Sequence, residues 1–344
     1  MEHRPAAPEA LRELVRAAQV FHHSEPWKQL DSDQPFGVRD PRTNRVVLAL
    51  VTGQSGIAFG LHTYPAFDGF VTLQLVLRGL LSHPDEASFL SMRSTICQFV
   101  KRSDLPPEER RSLRAAGYVE RSGEPLPMFR SLVPGFLPWR LDEEEVRLLT
   151  LVLEQTIHVA RDVALNPKLF DGGSGNSYLT RRSMSDGDDA PDAYEWAGPD
   201  FFGPRKRVPI PDELTATRLA RLPLREDVEW EIALALNGGV LQPTPGHRPE
   251  MLLTMVVVDR ASGHVHHGEP LPASSALDDV GARLARTLLD LGYAPRRILV
   301  SDPALRAQLA PVARFARSRL LRVQHVARAE RARDGLREFL ARRG

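Results

Sequence analysis

Between residues 171 and 213 the hydrophobic pattern of the chain breaks. "DGGSGN", "SDGDDAPDA" and "GPRKRVPIPDE" stack Gly, Pro and Asp, and only "SYLTRR" and "YEW" read as short ordered pieces. Runs of this kind make turns and links rather than a core. A length of 344 residues also suggests about two domains. The expected plan is an α+β domain over 1–170, a linker over 171–213, and an α/β domain with a mixed sheet over 214–344. Exposed polar tips are preferred nicking sites, so limited proteolysis is expected to cut first at "SDGDDAPDA".

The N-terminal half opens on "PEALRELVRAAQVFH", residues 8–22, whose apolar spacing is that of an amphipathic helix. "PFGVRDPRTNRVVLALVTGQSGIAFGLHTYP" reads as a strand meander, with a turn at Asp40-Pro41 and a hairpin turn between Gly53 and Gly60. Residues 66–80, 86–102 and 107–116 are expected as helices, the last capped by Asp104; Cys97 then falls in a helix core. Asp142 and Glu145 form a D-x-x-E capping box, and Leu141 and Val146 are placed for a hydrophobic staple. Val146, Leu149, Leu153, Ile157, Ala160 and Ala164 follow at steps of three or four, one face of a long helix. The preceding "VPGFLPW" is stiffened by its prolines. An extended approach is ordered only if anchored, so Phe136 and Trp139 are expected to be buried.

The C-terminal half reads as three strands ("EWEIALALN", "EMLLTMVVVDR", "SGHVHHGEPL"), a helix at 276–292, the strand "RRILVSD", a helix at 303–317, the strand "LLRVQHV" and a helix at 328–342. The motif D-x-x-[ST]-[GN]-x-V occurs at both Asp40 and Asp259, two examples of one turn chemistry.

Composition narrows the function classes. No apolar run reaches the roughly 18–20 residues that span a bilayer, and the N-terminus carries no apolar signal core. The single cysteine excludes an intramolecular disulfide framework and any multi-cysteine zinc site. The reading is a cytoplasmic chain without membrane partner or cofactor. A formal net charge of +1 points to no partner. Residues 303–344 hold eleven arginines against Glu330, Asp334 and Glu338. A basic tail of this kind is a weak nucleic-acid signal. Its candidate contacts are Arg314, Arg317, Arg319 and Arg322, although arginine supplies nearly all the basic residues of this chain.

Two segments carry a resemblance. "FGVRDPRTNRVVLALVTGQSGIAFGLHTYP" with "FRSLVPGFLPWRL", and the run from "EWEIAL" through "APRRILVSDPALRAQL", resemble the two halves of an uncharacterised bacterial two-domain family. The F-R-S-x-x-P-G-x-x-P-W signature is its most specific part. Both halves are domains of unknown function, so the resemblance implies an architecture and no activity. The strand and helix order of the C-terminal half also resembles the ribonuclease H-like fold. Nucleases of that fold hold two divalent metals with converging carboxylates. The fitting positions are Asp259, Asp302 and one of Glu330 or Asp334.

Each has a plainer explanation. Asp259 begins a turn and Asp302 can cap the helix after Pro303. Glu330 and Asp334 lie away from the face of Ala329, Ala332, Leu336, Phe339 and Leu340 that the final helix is expected to bury. "HVHHGE" places His264 and His266 on one strand face and His267 on the other, so at most two of them converge. His22, His23 and His158 read as surface residues. No catalytic residue and no metal ligand is assigned. The expectation is a non-catalytic binding or accessory protein. The alternatives are a ribonuclease H-like nuclease using Asp259 and Asp302, or a nucleic-acid binder using the basic C-terminus.

Overall fold

The alternating runs between Phe36 and Tyr64 are three antiparallel strands: β1 (Phe36–Arg39), β2 (Val46–Thr52) and β3 (Gly60–Tyr64). The computed structural model describes residues 6–81, 92–121, 123–173, 175–182, 194–203, 208–241 and 246–341. The chain divides into two units: Met1–Val133 with Pro138–Lys206, and Pro134–Leu137 with Arg207–Gly344.

In the first unit β4 (Ser94–Val100) and β5 (Leu126–Leu132) extend the meander on the β3 side. On the other side β6 (Tyr178–Arg182) joins β1 in parallel, and β7 (Tyr194–Ala197) closes the sheet. The order is β5-β4-β3-β2-β1-β6-β7. The helices α1 (Pro8–Ser24) and α4 (Glu143–Leu165) cover one face, with Leu14, Ala18 and Phe21 meeting Val146, Leu149 and Leu153 over Val47, Ala49 and Val51. On the other face α2 (Ala66–Leu77) and a 3-10 turn at Pro199–Phe202 bring Phe70, Leu73 and Phe202 against Leu48, Leu50 and Tyr64. A short helix, α3 (Pro107–Ala115), packs Leu113 near Leu126 beside the β5 edge.

Four local expectations need correction here. Residues 94–100, expected within a helix, are β4. "STICQFV" is rich in β-branched and aromatic residues, which fit a pleated surface better than a helix, and Cys97 is buried between strands opposite Leu61 and Phe129. Residues 86–91 of the same expected helix lie outside the described residues. Asp104 ends a 3-10 turn, and the N-cap of α3 is Pro106 without a side-chain bond. Ala164, placed on the buried stripe of α4, is exposed. His22 is half-buried, its ring 4.4 Å from that of Phe99 and 5.7 Å from that of Trp27. Of the stretch expected as a linker, "SYLTRR" and "YEW" form β6 and β7; "SDGDDAPDA" lies outside the described residues.

The capping box forms as read. The Glu145 N–H donates to Asp142 Oδ1 at 2.8 Å, and the Asp142 N–H donates to Glu145 Oε2 at 3.0 Å. Leu141 and Val146 are both buried in the core beneath it.

In the second unit the sheet order is β10-β9-β8-β11-β12. β8 (Leu224–Leu241), β9 (Glu250–Asp259) and β10 (Val265–Pro272) are antiparallel; β11 (Ala294–Val300) and β12 (Arg319–Arg322) are parallel to β8. Three further helices, α5 (Glu213–Ala220), α6 (Ala273–Leu291) and α7 (Pro303–Phe315), lie on one face. There Leu219, Val280, Leu284, Leu288 and Leu309 pack on Trp230, Ile232, Met255 and Ile298. The final helix, α8 (Ala327–Ala341), covers the other face with Val326 and Ala329 on Ala233, Val256 and Leu299. Its buried stripe is shorter than expected: Ala329 is buried, Ala332 and Leu336 are half-buried, and Phe339 is 50% exposed.

Two strand carboxylates cap helices of this unit from a distance. Glu231, 4% exposed on β8, accepts the N–H groups of Arg328 and Ala329 at 2.6 and 3.2 Å. Glu250 accepts the Ser274 N–H at 2.8 Å, at the start of α6, whose own N-cap Pro272 has no side-chain donor or acceptor. Each places a negative charge on orphan N–H groups at a helix start.

The signature stretch makes a loop whose base is in the first unit and whose tip is in the second. At the base Ser131 and Trp139 exchange backbone hydrogen bonds of 2.8 and 3.0 Å. At the tip Leu137 donates to the Pro249 carbonyl at 3.0 Å and Met251 to the Gly135 carbonyl at 2.9 Å. Gly135 has φ +85°, and a Cβ there would stand 2.8 Å from that of Ala273, so conformation and space both require glycine. Phe136 is buried, as expected; Trp139 is only half-buried.

Candidate functional site

The carboxylates considered for metal chemistry do not converge. Asp259 pairs across β9–β8 with Trp230, which pairs with Ile298 on β11. Asp302 lies four residues beyond Ile298, and β8 separates β9 from β11. At about 3.3 Å per residue and about 4.8 Å per strand, the two Cα atoms are roughly 15 Å apart. Because β9 runs antiparallel to β11, the chain after Asp259 leaves at the opposite end of the sheet from Asp302.

Both side chains are also engaged locally. Asp259 Oδ1 accepts the backbone N–H and the hydroxyl of Ser262, each at 2.7 Å. Burial raises its pKa, but these bonds outweigh that and hold the carboxyl below the usual range. Asp302 caps α7 by accepting the Ala304 N–H at 2.7 Å. On α8, Asp334 is exposed beside Arg333, and Glu330 turns back to accept the Val326 N–H at 3.2 Å. Among the described residues no group of three His, Cys, Asp or Glu side chains is placed to hold a metal ion.

The histidine run behaves in part as alternation implies. The rings of His264 and His266 are 5.0 Å apart, and His266 packs 5.2 Å from Trp230. Burial first, and then His264, lower the His266 pKa against the pull of Asp259. A bulge between Val265 and His267 interrupts the alternation and sets His267 opposite Val257.

The four arginines of the basic tail do not share a face. Arg317, with φ +59° at the end of α7, donates to the Leu222 carbonyl at 2.6 Å. Arg314 lies over the Phe315 ring at 5.3 Å. Arg319 and Arg322 pair with Arg297 and Val300, so they point to opposite faces of the sheet.

A feature with the geometry of a binding site lies in the first unit. A cavity of about 200 Å³ opens between α1, α3 and β5. Its apolar walls are Leu11, Leu14 and Val15 of α1, Leu105 and Leu113, Pro127 and Phe129 of β5, and Leu141. Arg130 and Glu109 close one side as a forked pair, both N–H···O distances being 2.8 Å. Apolar walls with a few fixed polar groups are the usual make-up of a ligand pocket. Phe129, Arg130, Arg140 and Leu141 belong to the signature stretch. That stretch therefore lines the cavity with its two ends while its middle makes the loop. The sequence reading saw anchors there and missed the cavity, because α1 and α3 supply its other walls.

The fold and this cavity are those of a protein built from two sheet-containing units. Two family models match it, each described as a domain of unknown function: DUF7309 over residues 12–181 and DUF6930 over residues 215–337. The N-terminal and C-terminal halves thus each match a domain of unknown function, as an uncharacterised two-domain family would. No curated protein and no solved structure matches it. Among the described residues no helix is long and apolar enough to cross a membrane.

Proposed function

We propose that the chain is a non-catalytic binding or accessory protein of the bacterial cytoplasm, with the α1–α3–β5 cavity as its binding site. The observation that carries this reading is the cavity itself: an apolar interior flanked by a charge pair whose members satisfy each other. It offers shape and apolar surface, and Arg130 and Glu109 are already partnered with each other. The test uses 1-anilinonaphthalene-8-sulfonate as an apolar probe on the folded chain. Saturable fluorescence enhancement is expected, reduced at least severalfold by Ser112→Trp, which fills the mouth from an exposed position. Enhancement that is absent, or unchanged by this variant, refutes the reading.

A second reading rests on the order of strands and helices in the second unit, which resembles the ribonuclease H-like fold. A nuclease using Asp259 and Asp302 would require them near metals about 3.5–4 Å apart, and the register argues against that. Magnesium- or manganese-dependent cleavage of DNA or RNA, lost in Asp302→Asn, would establish it. Salt-dependent nucleic-acid binding, weakened by Arg319→Ala with Arg322→Ala, would instead favour a binder using the basic C-terminus.

A further inference from the structure

The cavity runs along a strand edge that lacks a partner for part of its length. β5 is the outermost strand of its sheet, paired with β4 on one side only. On its open side Ser131 is already bonded to Trp139 in both directions. In an antiparallel strand alternate residues turn their N–H and C=O groups to the same side. Phe129 and Pro127 therefore present theirs to the side where Ser131 meets Trp139. The Phe129 carbonyl accepts from Arg130 Nη1 at 2.8 Å, which leaves a lone pair. Among the described residues, no backbone group pairs with the Phe129 N–H or the Pro127 carbonyl. Neighbouring strand residues point to opposite faces, yet both Phe129 and Arg130 line the cavity. The cavity consequently flanks the edge of β5 and not one face of the sheet.

Resting on the reading of this cavity as a binding site, we propose that its ligand is an extended peptide segment. The segment adds to β5 as a short antiparallel strand, continuing the pairing that Trp139 begins, and seats one apolar side chain among Leu14, Leu113 and Leu141. A charged amphiphile fits less well, because Glu109 already neutralises Arg130 while the Phe129 N–H and the Pro127 carbonyl stay open. Strand addition takes its affinity from such main-chain bonds and its selectivity from the adjoining pocket. The added strand is short, since Ser131 is occupied and Pro127 has no N–H to donate.

The experiment titrates the full chain with the capped peptide acetyl-Lys-Val-Leu-Val-Lys-amide. Two controls accompany it: the same peptide with the central Leu replaced by Gly, and the Leu peptide N-methylated at alternate residues, made in both phases. The Leu peptide is expected to bind roughly tenfold more tightly than the Gly peptide and than one of the N-methylated phases. Ser112→Trp should weaken it comparably, and the Phe129 amide should exchange more slowly in the complex. Equal binding of both N-methylated phases and the parent would overturn strand addition while leaving the cavity a binding site. So would probe binding without peptide binding. If neither the fluorescent probe nor any peptide binds, both readings fall.

Discussion

Asp40 and Asp259 begin turns spelled alike, one in each unit, and the two turns have the same backbone. The Asp40 N–H donates to the Arg45 carbonyl and the Asn44 N–H to the Asp40 carbonyl, both at 2.8 Å. Asp259 repeats this with His264 and Gly263 at the same distances. Thr43 and Ser262 donate their hydroxyls to the respective carboxylates at 2.7 Å. Asn44 and Gly263 take the left-handed position, with φ +58° and +75°. The difference lies outside the turn. Asp40 is 1% exposed and receives a forked pair of bonds, 2.9 and 2.8 Å, from Arg147 on α4, whereas Asp259 is part-exposed and spends its side chain on the turn. Burial raises the Asp40 pKa, but Arg147, Thr43 and the Arg42 N–H outweigh it and hold the carboxyl below its ordinary range. One local motif thus serves a tertiary ion pair in one unit and only a hairpin in the other.

The largest effect should come from removing that ion pair. Asp40→Ala is expected to destabilise the first unit by about 3 kcal/mol, the low end for a broken buried pair, because the Arg147 guanidinium loses its buried partner and keeps only the exposed Glu144. Asp259→Ala should cost the second unit about 1 kcal/mol, the scale of a lost turn or cap bond. Denaturant unfolding of both variants measures the gap; equal losses would mean that Arg147 adds nothing to the turn.

Acid should separate the units next. On β3, His62 is held by burial at about 4, well below its ordinary 6.5. The unfolded chain takes up this proton first, so stability should fall as pH drops from about 6.5 to about 4, by up to about 3 kcal/mol. His62→Gln should flatten that limb. Asp40 acts lower: its contribution is present above the unfolded carboxylate value of 3.8 and is lost as pH falls through its depressed folded value. An acid profile of His62→Gln identical to that of the parent would remove His62 from the comparison.

The smallest effects concern the left-handed residues. Gly263→Ala is expected to cost about 1 kcal/mol, since a Cβ is strained at that φ. Asn44→Gly should change stability by only a few tenths, because Asn tolerates the conformation and its side-chain carbonyl accepts from Arg39 at 3.1 Å. A thermal melt of each variant suffices. A large loss in Asn44→Gly would show that the Arg39 contact carries the first turn.

These cases show which parts of the molecule were legible. The hairpin turns, the Asp142–Glu145 capping box, the Asp302 cap and most of the second sheet followed from short spacings. Helix and strand were confused at 94–100, where a short apolar run satisfies either period over one or two turns. The strands β6 and β7 were legible only as fragments, since four or five residues amid Gly, Pro and Asp give little periodicity. The cavity was visible only as an unexplained density of aromatic, proline and arginine residues around Phe129–Leu141. Its other walls come from residues 11–15 and 105–113, which nothing in that stretch announces.

What the sequence determined by itself is whatever a few neighbouring residues can satisfy among themselves: caps, turns, the alternation of strands and the apolar stripes of helices. Tertiary structure alone decided the partners that arrive from far along the chain. It brought Arg147 to Asp40, Glu231 to the N–H groups of Arg328 and Ala329, and Glu250 to that of Ser274. It left β5 at a sheet edge and set Asp259 and Asp302 two strands apart, on strands that run in opposite directions. The physical reason is range. A hydrogen bond or cap closes within one turn of backbone, while strand order and register emerge only when distant apolar faces are buried together.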